Sequence, residues 1–270
     1  RRQRQMCIRD RTRRLFCVKV SIFSTCVVDL LFPNVGQAMV EVLERYGCET
    51  VLPTSQTCCG QPTYNSGYVT ESTTTLKNQI DSFDGADYVV GPAGSCVGMM
   101  KEYHKFLADD PIYGPKAQRL AERTYEFSQF LYRVLGVKDV GATLYGKATY
   151  HRSCHMTRIL NERESPFVLL DHVKGLEMIP LGHLENCCGF GGTFSVKMPA
   201  ISEQMVTEKM NDVIDTGAEI LISADMGCLM NIGGKFNRDG KKIKIMHIAE
   251  VLNHEVDEAR MDQPQIISIG

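Results

Sequence analysis

The sequence predicts an α/β fold made of two tandem, pseudo-symmetric halves, each with a parallel sheet in the order βαβαβ. Three observations support this: a cysteine pattern that occurs twice, β-prone runs that alternate with helical ones, and similar lengths in the two halves. Alternating strands and helices imply parallel strands with right-handed crossovers. We place the halves at 19–140 and 141–253, after an N-terminal extension over 1–18 and before a polar tail over 254–270.

The predicted elements follow the same order in both halves. A first strand leads to a turn and a cysteine, a helix ends at a glycine, and a second strand leads to a Cys-Cys-Gly loop. A second helix, a third strand and a closing helix complete a Rossmann-like unit. The ranges are 19–23, 35–46, 50–53, 69–83, 88–90 and 125–135 in the first half, and 147–150, 167–174, 177–181, 201–216, 220–222 and 247–252 in the second.

The cysteine repeat is the most informative feature. In each half a single cysteine is followed after 31 or 32 residues by an adjacent cysteine pair, and a glycine comes directly after the pair. A further 36 or 39 residues separate the second cysteine of the pair from a last cysteine. The sets are Cys26, Cys58, Cys59 and Cys96, and Cys154, Cys187, Cys188 and Cys228. Because each cysteine follows a strand, we expect the thiols of a half to gather at the carboxyl edge of its sheet.

Composition limits the possible classes of protein. The chain has 270 residues, 43% of them apolar, with no run near the roughly 18 apolar residues of a membrane span and no secretory signal pattern. We therefore expect a cytoplasmic protein. In a reducing cytosol, eleven cysteines indicate metal ligation or redox chemistry rather than disulfides. Adjacent cysteines also rarely meet disulfide geometry with each other.

The two ends of the chain differ from its body. The first fourteen residues hold seven Arg and one Asp, which could be a solvated tail or a nucleic-acid arm. We interpret this stretch, including Cys7, as a non-native or disordered extension. The acidic remainder has no basic stripe and no Trp, so no nucleic-acid partner is expected. The unpatterned C-terminal tail is expected to be frayed.

Four thiols in each half could hold several kinds of metal centre. The spacing favours an iron–sulfur cluster, because adjacent thiolates can ligate different irons and such clusters are normally held by cysteine alone. Zinc and a buried structural role for the cysteines remain open. Small residues beside the thiols would let backbone N–H groups reach the cluster sulfurs. These candidate cofactor-binding residues are Gly60, Gly189, Gly191 and Gly192.

Other polar residues are given structural interpretations. His155, next to a repeat cysteine, could be a ligand or a proton carrier, but a loop histidine bonded to backbone is the favoured interpretation. His151 and His247 adjoin apolar segments, where a hydrogen-bonded structural histidine is expected. Cys17 and Cys48 lie outside the repeat and are predicted to be small core residues. No complete flavin or nicotinamide fingerprint is present.

Four segments together resemble one known family. They are CCGQPTYNSGY from Cys58, HMTR from His155, NCCGFGGTFSVKM from Asn186 and GCLMNIGG from Gly227. In these motifs the chain resembles the CCG-domain (cysteine-rich) proteins, which include a component of heterodisulfide reductase and the glycolate oxidase iron–sulfur protein. Within that group it resembles most the lactate-utilisation family. The similarity extends from about residue 19 to residue 252.

The resemblance implies a function. The chain would be an oxidoreductase component, an iron–sulfur electron-transfer subunit of a three-protein system that oxidises L-lactate to pyruvate. It would hold one or two clusters, of the [4Fe–4S] type, and would act with other lactate-utilisation subunits, including a ferredoxin-type iron–sulfur protein. Two alternatives remain: a zinc- or cluster-stabilised assembly module without electron transfer, and a heterodisulfide-reductase-like disulfide reductase. The disulfide reductase is disfavoured because Ala93 and Asp225 stand where the wider family has a fifth cysteine in each half.

Overall fold

The computed structural model describes residues 18–265 and contains two parallel sheets, one in each half. The strands are β1 Val18–Ile22, β2 Cys48–Val51, β3 Tyr88–Gly91, β4 Thr124–Glu126, β5 Thr143–His151, β6 Lys174–Met178, β7 Ile220–Ser223 and β8 Lys244–His247. The sheet orders are β2-β1-β3-β4 and β6-β5-β7-β8, so the predicted fold class is confirmed. All pairings are parallel, as right-handed crossover units require.

Helices connect the strands in both halves. Those of the first half are α1 Cys26–Leu31, α2 Pro33–Arg45, α3 Gln61–Asn65, α4 Val69–Ser82, α5 Gly94–Phe106, α6 Tyr113–Arg123 and α7 Phe127–Gln129, which continues as a π-helical turn over Phe130–Val134. Those of the second half are α8 Cys154–Arg158, α9 Ser165–Asp171, α10 Phe194–Lys197, α11 Pro199–Asp215, α12 Met226–Arg238 and α13 Ile248–Leu252. Over the described part of the chain, no helix combines the length and apolar character that a membrane crossing needs.

Each sheet has a fourth strand that the sequence pattern did not predict. The first two residues of the predicted closing helix over 125–135 belong to β4. In the second half, β8 ends at the first residue of the predicted helix over 247–252. Both strands are short and lie at a sheet edge, so they lack the long alternating run that identifies a strand. The second half also differs at 167–174, where α9 ends at Asp171 and β6 already includes Lys174.

The two halves share one hydrophobic core. Helix α2 shows why: Pro33 starts it, and Val35, Met39 and Val42 lie on one buried face at helical spacing. That face belongs to a continuous buried cluster that also contains Leu221 of the second sheet. Burying apolar surface across both sheets stabilises them together, at roughly 25 cal/mol per Å² of area removed from water. The halves are therefore packed against each other rather than merely linked.

The C-terminal tail is polar, as predicted, but residues 254–265 are not frayed. The backbone N–H of Asp257 donates to the Gly141 carbonyl (2.9 Å), and the N–H of Gln265 donates to the Leu135 carbonyl (2.8 Å). Arg260 forms an ion pair with Asp139 at 3.2 Å. The prediction failed because these partners are far away in sequence. The extension over 1–17, with Cys7 and Cys17, and residues 266–270 lie outside the described residues.

Candidate metal centre

All eight repeat cysteines line a single cavity between the two halves. Cys26 and Cys154 are the first residues of α1 and α8, directly after the central strands of the two sheets. Cys96 and Cys228 lie in the first turns of α5 and α12, and the adjacent pairs occupy the loops after β2 and β6. Because parallel strands end at the same edge, each sheet presents its four thiols together. The two sheets then direct both sets toward one cavity.

The glycine after each cysteine pair has a left-handed backbone. Gly60 and Gly189 both have φ of +82°, a conformation that side chains disfavour. A Cβ atom on Gly189 would lie 2.8 Å from the Ser202 carbonyl oxygen, and one on Gly60 would lie 2.9 Å from Cδ2 of Leu76. The Gly189 N–H also points at the Cys187 sulfur, at 3.4 Å. Glycine is thus required both for the turn and for the close packing behind it.

The other two candidate glycines close the second loop over the cavity. Gly191 and Gly192 have φ of +52° and +62°. Both line the cavity, and Gly192 approaches Pro62 of the first half. Beside them, the Ser66 and Thr193 hydroxyls are 2.8 Å apart, which ties the loop to the first half. These glycines therefore let the second-half loop pack against the first half at the rim of the shared cavity.

The first-half thiols have a mostly apolar setting. The Sγ atoms of Cys26 and Cys58 are 4.0 Å apart, and Cys59 is buried. The hydrogen bond between them lowers the pKa of Cys58, while the same bond, and then burial, raise the pKa of Cys26. Behind them, the Tyr103 hydroxyl donates to the Cys59 carbonyl at 2.7 Å. Thiols must be deprotonated to ligate a metal, so metal binding at this site would release protons.

The second-half thiols lie near charged side chains. The Sγ atoms of Cys188 and Cys228 are 3.1 Å apart, and both side chains are buried. The Cys154 thiol lowers the pKa of Cys187, as its counterpart does in the first half. Lys209 is fully buried on α11, where its Nζ donates to the His183 carbonyl (2.7 Å) and pairs with Asp212 (3.6 Å). Burial lowers the pKa of Lys209, while the nearby Asp212, Cys188 and Cys187 oppose that shift. The charge of Lys209 in turn acts on Cys228, whose pKa it lowers.

The histidines only partly follow the predictions. His247 is structural, as expected: Nε2 lies 2.8 Å from the Pro92 carbonyl, and Nδ1 accepts from the Ala249 N–H. The favoured interpretation of His155 was wrong, because its ring contacts side chains rather than backbone: Gln61 Nε2 at 2.9 Å and the Cys154 sulfur at 3.3 Å. Local sequence could not predict Gln61, which belongs to the other half.

His151 contradicts its prediction more strongly. It is fully buried, yet neither ring nitrogen has a hydrogen-bond partner. Its ligand nitrogen and the sulfurs of Cys188 and Cys228 all lie within 4.8 Å of one another. Burial, and then the charge of Lys209, lower the pKa of His151 to about 3, so the ring is neutral near pH 7. Sequence reasoning missed it as a site residue, although its place three residues before Cys154 was a usable signal.

Ala93 and Asp225 start the helices that carry the last cysteines. Both have extended backbones, with φ of −148° and −150°. The Asp225 carboxylate accepts from the Gly227 N–H at 3.1 Å and from the Ser95 N–H of the other half at 3.0 Å. Asp225 thus caps its own helix and links it to α5, whereas Ala93 can do neither.

The donor set fits a metal centre. Each half offers four thiols, none of these eight cysteines forms a disulfide, and His151 adds an unpartnered nitrogen. Thiolates and imidazole are the donors of iron–sulfur and zinc sites. Cys48 lies outside this set and is a buried core residue, as predicted.

Comparison with known proteins agrees with this architecture. Residues 20–101 and 148–233 match the model of the cysteine-rich domain family. The chain is 59% identical to lactate utilization protein A of Geobacillus thermodenitrificans, over 88% of this chain and 99% of that protein. It is 58% identical to lactate utilization protein A of Bacillus subtilis, over 87% and 99%. A hypothetical protein from Helicobacter pylori shares the fold, with a TM-score of 0.60 at 11% identity, covering 87% of this chain and 48% of that one. The predicted resemblance is confirmed, and the chain belongs to the lactate utilization protein A family, whose fold here carries two cysteine-rich domains.

Proposed function

We propose that the chain is an iron–sulfur electron-transfer subunit of a multi-subunit system that oxidises L-lactate to pyruvate. The observation that carries the proposal is the pair of four-thiol sets lining one cavity. The relatives' name supplies the link to lactate. In this proposal Cys26, Cys58, Cys59 and Cys96 hold one [4Fe–4S] cluster, and Cys154, Cys187, Cys188 and Cys228 hold the second.

The residues of the chain would bind the clusters and set their environment. When bound, an iron–sulfur cluster accepts and releases single electrons. The thiols must lose their protons to act as ligands. The hydrogen bond between the first and second thiol of each half lowers the pKa of Cys58 and of Cys187. The same bond raises the pKa of Cys26 and of Cys154, so metal binding must displace those protons. The Gly189 N–H directs a positive dipole at the Cys187 sulfur, which stabilises thiolate charge. Gly191 and Gly192 line the cavity beside the second set.

Lactate oxidation requires more than this chain. The reaction releases two electrons, whereas a cluster carries one at a time, so a two-electron group must stand between lactate and the clusters. The sequence has no complete flavin or nicotinamide fingerprint. We therefore assign that step to a partner among the lactate-utilisation subunits, with a ferredoxin-type protein as a further electron carrier. The whole system is proposed to act in the cytoplasm.

Two measurements test the proposal. Anaerobic purification followed by iron, sulfide and zinc analysis should give a brown protein with iron and sulfide in equal amounts. Lactate-dependent dye reduction should then require both this chain and its partners. Colourless protein with stoichiometric zinc would refute the cluster assignment. Robust lactate oxidation by the isolated chain would refute the relay role.

A second candidate is a metal-stabilised assembly module that carries no electrons. It is favoured by one observation, the group of His151, Cys188 and Cys228, because mixed histidine and cysteine donors are typical of structural zinc. This candidate predicts zinc in the second half and no reducible chromophore there. The disulfide-reductase alternative is less favoured, because Asp225 is occupied as a helix cap and supplies no fifth thiol.

A further inference from the structure

We propose that His151 is a direct nitrogen ligand of the metal group in the second half, so that the two halves hold chemically different centres. The inference rests on the proposed metal-binding role of the cysteines and adds a donor that the cysteine motif does not contain. It follows from the surroundings of His151, from its position on β5 and from the residue at the matching place in the first half.

The first step is the missing hydrogen bonds of His151. A buried imidazole normally satisfies at least one nitrogen, since an unpaired polar group loses its bonds to water without replacement. Both nitrogens of His151 lack a partner, whereas His247, equally buried, uses both of its nitrogens. Only a group absent from the polypeptide would satisfy the His151 ring. A metal bound to Cys188 and Cys228 would lie within reach, because the three ligand atoms lie within 4.8 Å of one another.

The second step is the position of the backbone. His151 is the last residue of β5, in register with Ser223 of β7, whose hydroxyl donates to the His151 carbonyl at 2.9 Å. The central strand of the sheet therefore fixes the ring at the carboxyl edge, where the thiols gather. A ligand on a rigid strand needs little rearrangement to bind.

The third step is the contrast with the first half. The residue three places before Cys26 is Phe23, also fully buried. Phe23 packs edge-on against Phe83, with ring centroids 5.8 Å apart, and has no donor atom to offer. An aromatic ring therefore fills this position in both halves, and only the second half places nitrogens there. Packing explains the ring shape but not the nitrogens.

A nitrogen ligand would change the chemistry of the second site. In this inference the His151 imidazole takes the place of one second-half thiolate on the metal. Replacing a thiolate by neutral imidazole removes negative charge from a cluster and raises its reduction potential. The same donor set would also suit zinc. Either way, the first half keeps an all-thiolate site, and the two sites differ in their ligands.

The test uses full-length protein labelled with ¹⁵N-histidine, purified anaerobically and loaded with iron and sulfide. Pulsed EPR of the reduced protein should show strong ¹⁵N hyperfine coupling to one centre. His151→Phe, which copies the first half, should abolish this coupling and lower the metal content or shift the potential of that centre alone. His172→Phe, at an exposed position, is the matched control and should leave the ¹⁵N coupling, the metal content and the potential unchanged. If the second half takes up zinc, zinc X-ray absorption should show a nitrogen neighbour that disappears in His151→Phe.

The outcomes separate this inference from the proposed function. Unchanged coupling and metal content in His151→Phe would overturn the His151 ligand while leaving the cysteine sites intact. Loss of the coupling in His155→Val instead would also overturn it. Full metal content in Cys188→Ser would overturn the proposed cysteine site itself, and a metal-free wild type would overturn both. His151→Leu serves as a second variant, and circular dichroism of each variant confirms folding.

Discussion

The two halves have the same fold and the same cysteine positions, but the surroundings of their thiols differ. At matching places the first half has Phe23, Val27 and Ala93, and the second has His151, His155 and Asp225. The inward faces of α4 and α11 differ as well. Gln79 accepts from the Thr57 N–H at 2.8 Å, whereas Lys209 places a buried cation near the second thiol pair. The cysteine positions have thus been kept, while the nitrogen donor and the charge beside them have not, so we expect two centres with unequal potentials.

The largest expected effect comes from removing a thiol. Cys59→Ser should abolish metal in the first half only, and Cys188→Ser in the second half only, because thiolate ligation is coupled to the structure of each site. Iron and zinc analysis after anaerobic purification measures this. Cys48→Ser is the matched control, since Cys48 is buried but lies outside the cavity. Equal metal in all three variants would contradict the assignment.

The two loop glycines should differ in their tolerance of a methyl group. Gly189→Ala should lower the free energy of unfolding by about 2–4 kcal/mol, because it combines backbone strain with a clash against a carbonyl. Gly60→Ala should cost less, since Leu76 can move its side-chain end. Gly217→Ala, with φ of +65° and open space around it, reports strain alone. Chemical denaturation measures the free energy of unfolding of the three variants. A larger loss of stability in Gly60→Ala than in Gly189→Ala would reject the contact argument.

Asp225 should contribute more to stability than Ala93, the residue at the matching place in the first half. Asp225→Ala copies Ala93 and removes two hydrogen bonds, one of them to the other half. We expect a loss of about 1–3 kcal/mol in the free energy of unfolding. Asp239→Ala, which breaks an ion pair near the C-terminus of the same helix, should cost less. Equal stability of Asp225→Ala and the wild type would show that the link between halves is dispensable.

The smallest expected effect is electrostatic. A buried cation stabilises the more negative, reduced state, so Lys209→Gln should lower the potential of the second centre. Loss of one screened unit charge should change the free energy of reduction by about 1 kcal/mol, which corresponds to a shift of roughly 40 mV in the potential for a single electron. Redox titration followed by EPR measures it, with exposed Lys105→Gln as the control. A shift confined to the first centre would contradict the placement of Lys209.

Several features were predictable because they depend on nearby residues. Strand-to-cysteine spacing predicted that the thiols of each half would meet at one sheet edge, since the carboxyl ends of parallel strands coincide. The glycines beside the thiols were predicted as small residues that let backbone N–H groups approach sulfur, and the structure adds that their backbones are left-handed. The edge strands β4 and β8 were missed because three or four residues carry too little pattern, and their pairing depends on the neighbouring strand.

The family, the α/β class, the duplication and the eight thiols could all be read from spacing, motifs and local periodicity. Three features became visible only in the folded protein: both thiol sets share one cavity, Asp225 bonds to Ser95, and His151 is buried without a partner beside Cys188 and Cys228. These features arise where the two halves or distant strands pack together. Contacts between residues distant in the chain leave no periodic signal in either segment alone.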